Sequence, residues 1–156
     1  FTRTIRLLDS LDEYQGSRVM STITKEELLR IPRLRKHIKR KMQRIELYET
    51  RATGGAIEYK ERVQSSVNDS ASDCLSMAVD LRAEVGRDIE ELHVLVGKAA
   101  KLADSLSDPL ERDIVYAIYV HGLLWKVAAD MMNYSYQRLY QKHQDILKRL
   151  EVVLLD

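Results

Sequence analysis

Cysteine, proline, glycine and long apolar runs are all scarce in this chain of 156 residues. The single cysteine, Cys74, cannot form an internal disulfide or a Cys-x-x-Cys metal site, which favours a reducing compartment. Two prolines and six glycines are too few for a turn-rich β-sandwich. Because no stretch approaches the roughly 20 apolar residues that span a bilayer, we expect a soluble, cytoplasmic protein without membrane contact.

Catalytic and metal-binding signatures are also missing from the sequence. The histidines, at positions 37, 93, 121 and 143, lie far apart and show no helical spacing to a second ligand. No phosphate-cradling glycine loop, nucleophile elbow or HExxH motif occurs. We therefore expect a protein that is not an enzyme and that needs no cofactor and no metal ion.

Helix-forming residues dominate the composition, with Leu, Arg, Lys, Glu, Asp and Ala prominent, and this predicts an all-α fold. The net charge of +1 neither favours nor excludes nucleic acid, so the distribution of charge matters more. Met20-Ser21-Thr22 resembles a natural start. Residues 1–19 are therefore expected to be an uncertain segment, carried over from upstream sequence or from an expression vector.

A long amphipathic helix is predicted after Thr24. Thr24 and Glu27 have the spacing of a capping box, in which hydroxyl and carboxylate accept from each other's backbone N–H groups. Because proline disrupts a helix interior, we expect the continuous helix to start near Ile31, with Pro32 in its first turn. Its apolar stripe recurs at three- and four-residue steps and comprises Leu28, Ile31, Leu34, Ile38, Met42, Ile45 and Tyr48.

A second long helix is predicted from Ser72 or Asp73, after a glycine-containing polar loop over residues 51–72. Two amphipathic helices joined by a loop fold back as an antiparallel hairpin, because each must bury its stripe. We expect a coiled-coil-like hairpin over residues 20–107, and homodimerisation through the same helices. The second stripe comprises Ala78, Leu81, Val85, Ile89, Leu92, Val96, Ala99, Leu102 and Leu106.

Charge divides between the two long helices. The segment from Lys25 to Arg44 has nine basic and two acidic residues, whereas the segment from Asp80 to Glu91 has five acidic and two basic residues. One interpretation is an intramolecular pairing of basic with acidic helix, with solvated outer faces. The other is a surface of the first helix that contacts phosphates, formed by Arg33, Lys36, Lys39, Arg40 and Arg44.

A trihelical module is predicted over residues 108–156. Asp108 is suited to cap a helix that has Pro109 at its first position. This helix should run to about Val120, bury Leu110, Ile114, Val115 and Ile118, and end at His121-Gly122. A second helix should follow from Leu124 to Met132.

The third helix and the turn before it have the pattern of a helix-turn-helix. Such a motif needs a small residue in its first helix, a left-handed turn residue four positions later and an apolar residue six beyond, and Ala129, Asn133 and Leu139 fit these places. Tyr134 is expected to close the core and Ser135 to cap the third helix. Its buried stripe should comprise Leu139, His143, Ile146, Leu147 and Leu150.

The outward face of the third helix has side chains that suit duplex DNA. Arginine can bind guanine through two hydrogen bonds, glutamine can do so with adenine, and lysine and tyrosine reach phosphates. Such a helix enters a major groove, and Lys126 on the preceding helix is a further candidate for a phosphate contact. The candidate recognition residues are Tyr136, Gln137, Arg138, Gln141 and Lys142.

The segments Leu110–Tyr116, Tyr119–Gly122 and Trp125–Ser135 also carry a resemblance. Together they resemble the C-terminal, promoter-recognising region four of sigma factors, with Trp125 and Ser135 among the motif residues. The whole of residues 25–150, including the loop at 61–66, most resembles phage and prophage proteins that place this module after a helical hairpin. The resemblance implies a transcription regulator in a bacterial host cell, with double-stranded DNA and RNA polymerase as partners.

Two other functions fit the same residues. A phage DNA-packaging or structural adaptor would also use a helix-turn-helix to hold DNA and a helical hairpin to assemble. A protein-interaction module with degenerate DNA binding would account for the near-neutral charge and for Leu123-Leu124, which stands where a polar helix cap is usual. The oligomer that forms and the salt dependence of DNA binding distinguish these functions.

Overall fold

The computed structural model describes residues 23–54 and 71–152, and within these ranges all regular structure is helical, as predicted. Among the described residues, none of the helices combines the length and the apolar character needed to cross a bilayer. The α-helix that ends at Val115 continues directly as a π-helical turn, Tyr116–Val120. The α-helices are α1 (Lys25–Ala52), α2 (Ala71–Ser105), α3 (Pro109–Val115), α4 (Trp125–Met132) and α5 (Tyr136–Val152).

Three sequence predictions lie outside the described residues. They are the uncertain segment 1–19, the start at Met20 and the part of the resemblance at residues 61–66. The predicted loop over 51–72 is described only at its ends, where α1 extends to Ala52 and α2 begins at Ala71.

Packing divides the chain into two compact units. Among the described residues, one unit, which we call the hairpin unit, comprises those from Leu34 to Leu92, and the other, the C-terminal unit, comprises those up to Arg33 together with those from His93 onward. The first turns of α1 and the end of α2 therefore belong to the same unit as α3 to α5. The expected division of the chain at residue 108 stays a prediction.

Helix α1 begins six residues earlier than the expected start near Ile31, at Lys25, and continues through Pro32. The predicted capping box forms: Glu27 N donates to Thr24 Oγ1 at 3.1 Å, and Thr24 N donates to Glu27 Oε2 at 3.0 Å. Leu28 and Ile31 are fully buried, and each such burial stabilises by about 1.5–3 kcal/mol. Together with the cap, they outweigh the roughly 3 kcal/mol that an interior proline costs.

In the hairpin unit, α1 and α2 run antiparallel. Lys41 Nζ lies 2.9 Å from Glu84 Oε2 and 2.8 Å from Asp88 Oδ2, while Glu49, further along α1, pairs with the earlier Arg82. The predicted pairing of basic with acidic helix is therefore present at Lys41, whereas the pair of Glu49 with Arg82 has the opposite sense. The carboxylates raise the pKa of Lys41 through direct hydrogen bonds, first from Asp88.

The stripes predicted for the two long helices are only partly buried. Met42 is 56% exposed and Ile89 is 49% exposed, because two helices cover only one flank of each other. Tyr48, Leu92 and Val96 are half-buried. The buried side chains in the hairpin unit are Leu34, Ile38, Ile45, Cys74, Ala78, Leu81 and Val85.

The C-terminal unit has a larger core, to which every one of its helices contributes. Within this unit, Lys98 Nζ donates to Glu27 Oε1 at 2.7 Å, which is the main cause that lowers the pKa of Glu27. Its buried apolar side chains are Ile23, Leu28, Ile31, Leu95, Ala99, Leu102, Ala103, Leu106, Ile114, Val115, Ala117, Ile118, Tyr119, Ala128, Ala129, Leu139, Ile146, Leu147 and Leu150.

Candidate nucleic-acid interface

The first helix of the C-terminal module starts as the sequence predicts. Asp108 is the N-cap of α3, and its Oδ1 accepts from Leu110 N at 2.9 Å, with Pro109 following in the first turn. The other oxygen, Oδ2, accepts from Lys142 Nζ on α5 at 2.7 Å. These two bonds, led by that of Lys142, lower the pKa of Asp108. One carboxylate thus both caps α3 and joins α5 to it.

A buried carboxylate makes a second link between α3 and α5. Glu111 is 5% exposed, and its carboxylate pairs with the Arg149 guanidinium and lies 3.9 Å from Lys142 Nζ. A buried carboxylate that loses its partner is strongly destabilising. Leu110, predicted to lie in the core, is only half-buried, and Glu111 takes the buried position.

The helix predicted to run to Val120 changes character on the way. The α-helical part ends at Val115, and Tyr116–Val120 form a π-helical turn in which His121 N donates to Tyr116 O at 2.8 Å. The extra residue in this turn allows Ala117, Ile118 and Tyr119 to be buried in succession. Gly122 then adopts a φ of 69°, which confirms it as the residue that ends this helix.

The turn between α4 and α5 has the predicted geometry. Asn133 ends α4 in the left-handed region, with φ 56° and ψ 39°, and its N–H donates to Ala129 O and Asp130 O. Tyr134 N also donates to Ala129 O, at 3.1 Å. Ala129 and Leu139 are both buried, at 5% and 0% exposure, so the small residue and the apolar residue lie in the core on either side of the turn.

The left-handed backbone at Asn133 predicts how substitutions at this position change the stability of the protein. Glycine adopts this conformation without strain, whereas a residue with Cβ and no local hydrogen-bonding group pays about 1 kcal/mol or more. We therefore expect Asn133→Gly to hold or slightly raise stability, and Asn133→Ala to lower it by about 1 kcal/mol. Urea unfolding followed by Trp125 fluorescence measures both variants. Equal stability of the two would contradict this account of the turn.

Helix α5 has one buried and one exposed face. Ser135 caps it, with Oγ accepting from Arg138 N at 3.3 Å, as predicted. The predicted stripe of Leu139, His143, Ile146, Leu147 and Leu150 is buried throughout. On the opposite face Tyr136, Gln137, Arg138 and Gln141 are exposed, whereas Lys142 is half-buried and paired with Asp108, contrary to the prediction that it lies outward.

An aromatic cluster connects α4 to α5. The Trp125 ring lies edge-on to those of His143, Tyr136 and Tyr140, with centroids 4.9, 6.2 and 6.4 Å away. Tyr136 and Tyr140 stack on each other, with centroids 6.1 Å apart. Edge-to-face and stacked pairs of this kind each contribute about 0.5–1.5 kcal/mol. Trp125, predicted as a motif residue, therefore holds the start of α5 against α4.

Tyr134 does not close the core, contrary to the sequence analysis. It is 42% exposed, and the Arg138 guanidinium carbon lies 5.4 Å from its ring centroid. The left-handed Asn133 reverses the chain so that the next side chain lies outside. This cation–π contact orients Arg138 on the exposed face of α5.

The turn, the buried stripe and the exposed polar face give α4 and α5 the arrangement of a helix-turn-helix. No protein-family model, curated protein or solved structure matches the chain. The chemistry of the exposed face is therefore the basis for a functional proposal.

The other predicted phosphate contacts are exposed but belong to different parts of the chain. Lys126 is exposed on α4, and Arg33, Lys36 and Arg40 are exposed on α1. Lys39 and Arg44 are exposed on α1 as well. Arg33 and Lys126 lie in the C-terminal unit, and the remaining basic residues lie in the hairpin unit.

Two structural features near this face were not found from the sequence. One is the buried pair of Tyr119 with His143, whose Oη and Nε2 lie 2.5 Å apart, since residues 24 positions apart show no periodic signal. The other is an apolar outer face of α4 and its N-cap, where the N-cap residue Leu124 and the helix residues Val127 and Met131 are 75%, 42% and 69% exposed. Their spacing of three and four residues is visible in the sequence, but it is also the spacing of a buried stripe.

Proposed function

We propose that this chain is a DNA-binding transcription regulator, and that the N-terminal half of α5 enters the major groove of duplex DNA. The observation that carries the proposal is the left-handed turn at Asn133, which lies between α4 and an α5 whose exposed face is polar. Following the resemblance to region four of sigma factors, we further propose that it acts on a phage or mobile-element promoter in the cytoplasm of a bacterial host.

Three exposed side chains at the start of α5 suit the proposed contacts. Arg138 can form two hydrogen bonds with guanine, and Gln137 or Gln141 can do the same with adenine. The contact of Arg138 with the Tyr134 ring limits its rotamers before DNA binds, which reduces the entropy lost on binding. Residues before this helix then contact the sugar-phosphate backbone of the DNA, and Lys126 is the candidate for such a contact on α4.

Lys142 has a different place in this proposal from the other candidates. Its ammonium already donates to Asp108, and this carboxylate raises its pKa. An ammonium held by a carboxylate offers less charge to a phosphate than an unpaired one. We therefore propose that Lys142 contributes to DNA binding chiefly by holding α5 in place.

Fluorescence anisotropy of labelled duplexes from the encoding locus tests the proposal. The wild type should bind, and its affinity should fall between about 50 and 200 mM salt, because phosphate contacts release counterions. Arg138→Ala should weaken binding to the preferred duplex about tenfold or more, from the loss of one bidentate base contact. The matched control is Arg87→Ala, an exposed arginine on the acidic helix α2, which should bind as the wild type does.

The outcome for Lys142→Ala separates its two possible roles. If Lys142 is a structural link, the variant should unfold at lower urea concentration and keep the salt dependence of the wild type. If it contacts a phosphate, the slope of log affinity against log salt should fall by about one. Absence of binding by the wild type to every duplex tested would contradict the proposal as a whole.

A second candidate function is supported by the apolar outer face of α4. Val127 and Met131 lie on this helix, Leu124 is its N-cap residue, and all three are exposed; clustered exposed apolar side chains are typical of protein contacts. RNA polymerase is the partner that the resemblance implies. Met131→Lys should then reduce polymerase binding in a pull-down with purified enzyme, while DNA binding through α5 persists.

We also propose that the regulator acts as a homodimer through its long helices. Dimeric helix-turn-helix proteins bind two half-sites, and their symmetry matches that of the operator. Under this proposal the hairpin unit contributes the dimer contacts and the C-terminal unit contributes the DNA contacts.

A further inference from the structure

One stripe on α1 of the hairpin unit is exposed at its centre, at Lys39, Met42 and Glu46, and half-buried at its ends, Arg35 and Glu49. Arg35, Lys39, Met42, Glu46 and Glu49 follow one another at steps of three and four residues, so they share one flank of the helix. Together with Arg82 and Val85 of α2 they line an open groove. Met42, at the centre of the stripe, is 56% exposed.

The charges on this stripe change sign at Met42. Toward the start of α1 the stripe has Arg35 and Lys39, and toward the end it has Glu46 and Glu49. Lys39 and Glu46 are both exposed. Seven residues separate them, about 10 Å along the helix, so they do not neutralise each other within one chain.

We propose that a second copy of the chain occupies this groove, with the two α1 helices packed antiparallel about Met42. A two-fold axis through the centre of the stripe places the basic half of one copy against the acidic half of the other. Lys39 then faces Glu46 of the other copy, and this pair occurs twice. Glu49 stays paired with Arg82 of its own chain, so Lys39 and Glu46 carry the charge complementarity, and the two Met42 side chains meet at the axis.

The apolar part of the same flank supports this pairing. Val85 is buried beside the groove, and the 49% exposed Ile89 lies seven residues after Arg82, on the same side of α2. Two helices alone leave Ile89 and Met42 largely in water, whereas two hairpins that pack as a four-helix arrangement would cover them. A partner with charge of one sign would oppose one half of the stripe, so a second copy is the best complement.

This inference names the surface behind the proposed dimer and rests on that part of the proposed function. It needs no DNA, so its test and the DNA-binding test fail independently. Sedimentation velocity of the full chain over a range of concentrations should show a monomer–dimer equilibrium for the wild type. A wild type that remains monomeric throughout would overturn the inference.

Charge-reversal variants test the orientation of the pairing. Lys39→Glu makes the stripe acidic along most of its length, and Glu46→Lys makes it basic, so each variant alone should dimerise about tenfold or more weakly. An equimolar mixture of the two should recover dimerisation, because each acidic stripe then meets a basic one. The double variant K39E/E46K should also recover it, since the charges are exchanged and remain complementary.

Lys36→Glu is the matched control, because it makes the same charge change at an exposed position of α1 away from the stripe. It should dimerise as the wild type does. Met42→Glu, at an exposed position, should give a folded monomer by circular dichroism and sedimentation. Equal weakening by Lys36→Glu, or a mixture of the single variants that does not recover dimerisation, would overturn the proposed interface.

Discussion

Leu139→Ala should destabilise the C-terminal unit by about 3–5 kcal/mol, the range found when a buried leucine leaves a cavity. Leu139 is completely buried one turn into α5, on the face that packs against the rest of the unit. The neighbouring Ala129 and Ala128 are small and cannot fill the space. Because whole domains are commonly stable by only about 5–15 kcal/mol, this variant should also lose DNA binding well below the melting temperature of the wild type.

The single tryptophan makes this measurement specific to the unit concerned. Trp125 lies on α4 and contacts side chains of α5, so its fluorescence in urea reports the unfolding of this unit. Leu124→Ala is the matched control, since it makes the same substitution at a side chain that is 75% exposed. It should change stability by less than about 0.5 kcal/mol. Similar losses for the two leucines would contradict the assigned core.

Most of the fold could be predicted from the sequence because its signals are local. The capping box at Thr24 and Glu27 and the turn at Asn133 each depend on residues a few positions apart, and each is confirmed. The predicted start of the continuous helix near Ile31 is wrong, because the cost of Pro32 is offset in the folded chain. The burial of Leu28 and Ile31, which offsets its cost, depends on tertiary packing.

The candidate site was predicted less completely, because exposure depends on partners that periodicity does not identify. Lys142 lies at the edge of the outward face of α5, and only the position of Asp108, 34 residues earlier, shows that it is paired. Likewise, the stripe of α1 predicts a buried Met42, whereas two helices are too few to cover it. The same α-helical period describes a core position and a surface position that another chain could cover.

Acid should destabilise the C-terminal unit through His143. His143 is buried, and this burial lowers its pKa from 6.5 to about 4. Above pH 6.5 the ring is neutral in both folded and unfolded chains, so its stabilising contribution is fully present. Between that pH and about 4 the unfolded chain takes up a proton that the folded one does not. Over this range the free energy of unfolding falls by about 1.4 kcal/mol for each pH unit, or by about 3 kcal/mol in all.

The surroundings of His143 explain why the folded state holds the neutral ring. Tyr119 Oη lies 2.5 Å from Nε2 and is hydrogen-bonded to the ring, and burial raises the pKa of Tyr119, so its hydroxyl remains protonated. Nδ1 is buried without a hydrogen-bond partner among the described residues. Protonation would therefore place a charge in a buried site beside the Trp125 ring, where Nδ1 has no hydrogen-bond acceptor among the described residues.

His143→Gln tests this prediction, because glutamine can accept from Tyr119 but does not titrate. Urea midpoints from Trp125 fluorescence should fall between about pH 7 and pH 4.5 for the wild type, and fall much less for the variant. His121→Gln, the same substitution at an exposed histidine of the same unit, should keep the loss seen in the wild type. Asp108 has a lowered pKa and loses its ion pair only in stronger acid, below its ordinary 3.8, so its contribution falls outside this window. An equal loss in the wild type and in His143→Gln would show that the acid sensitivity arises elsewhere.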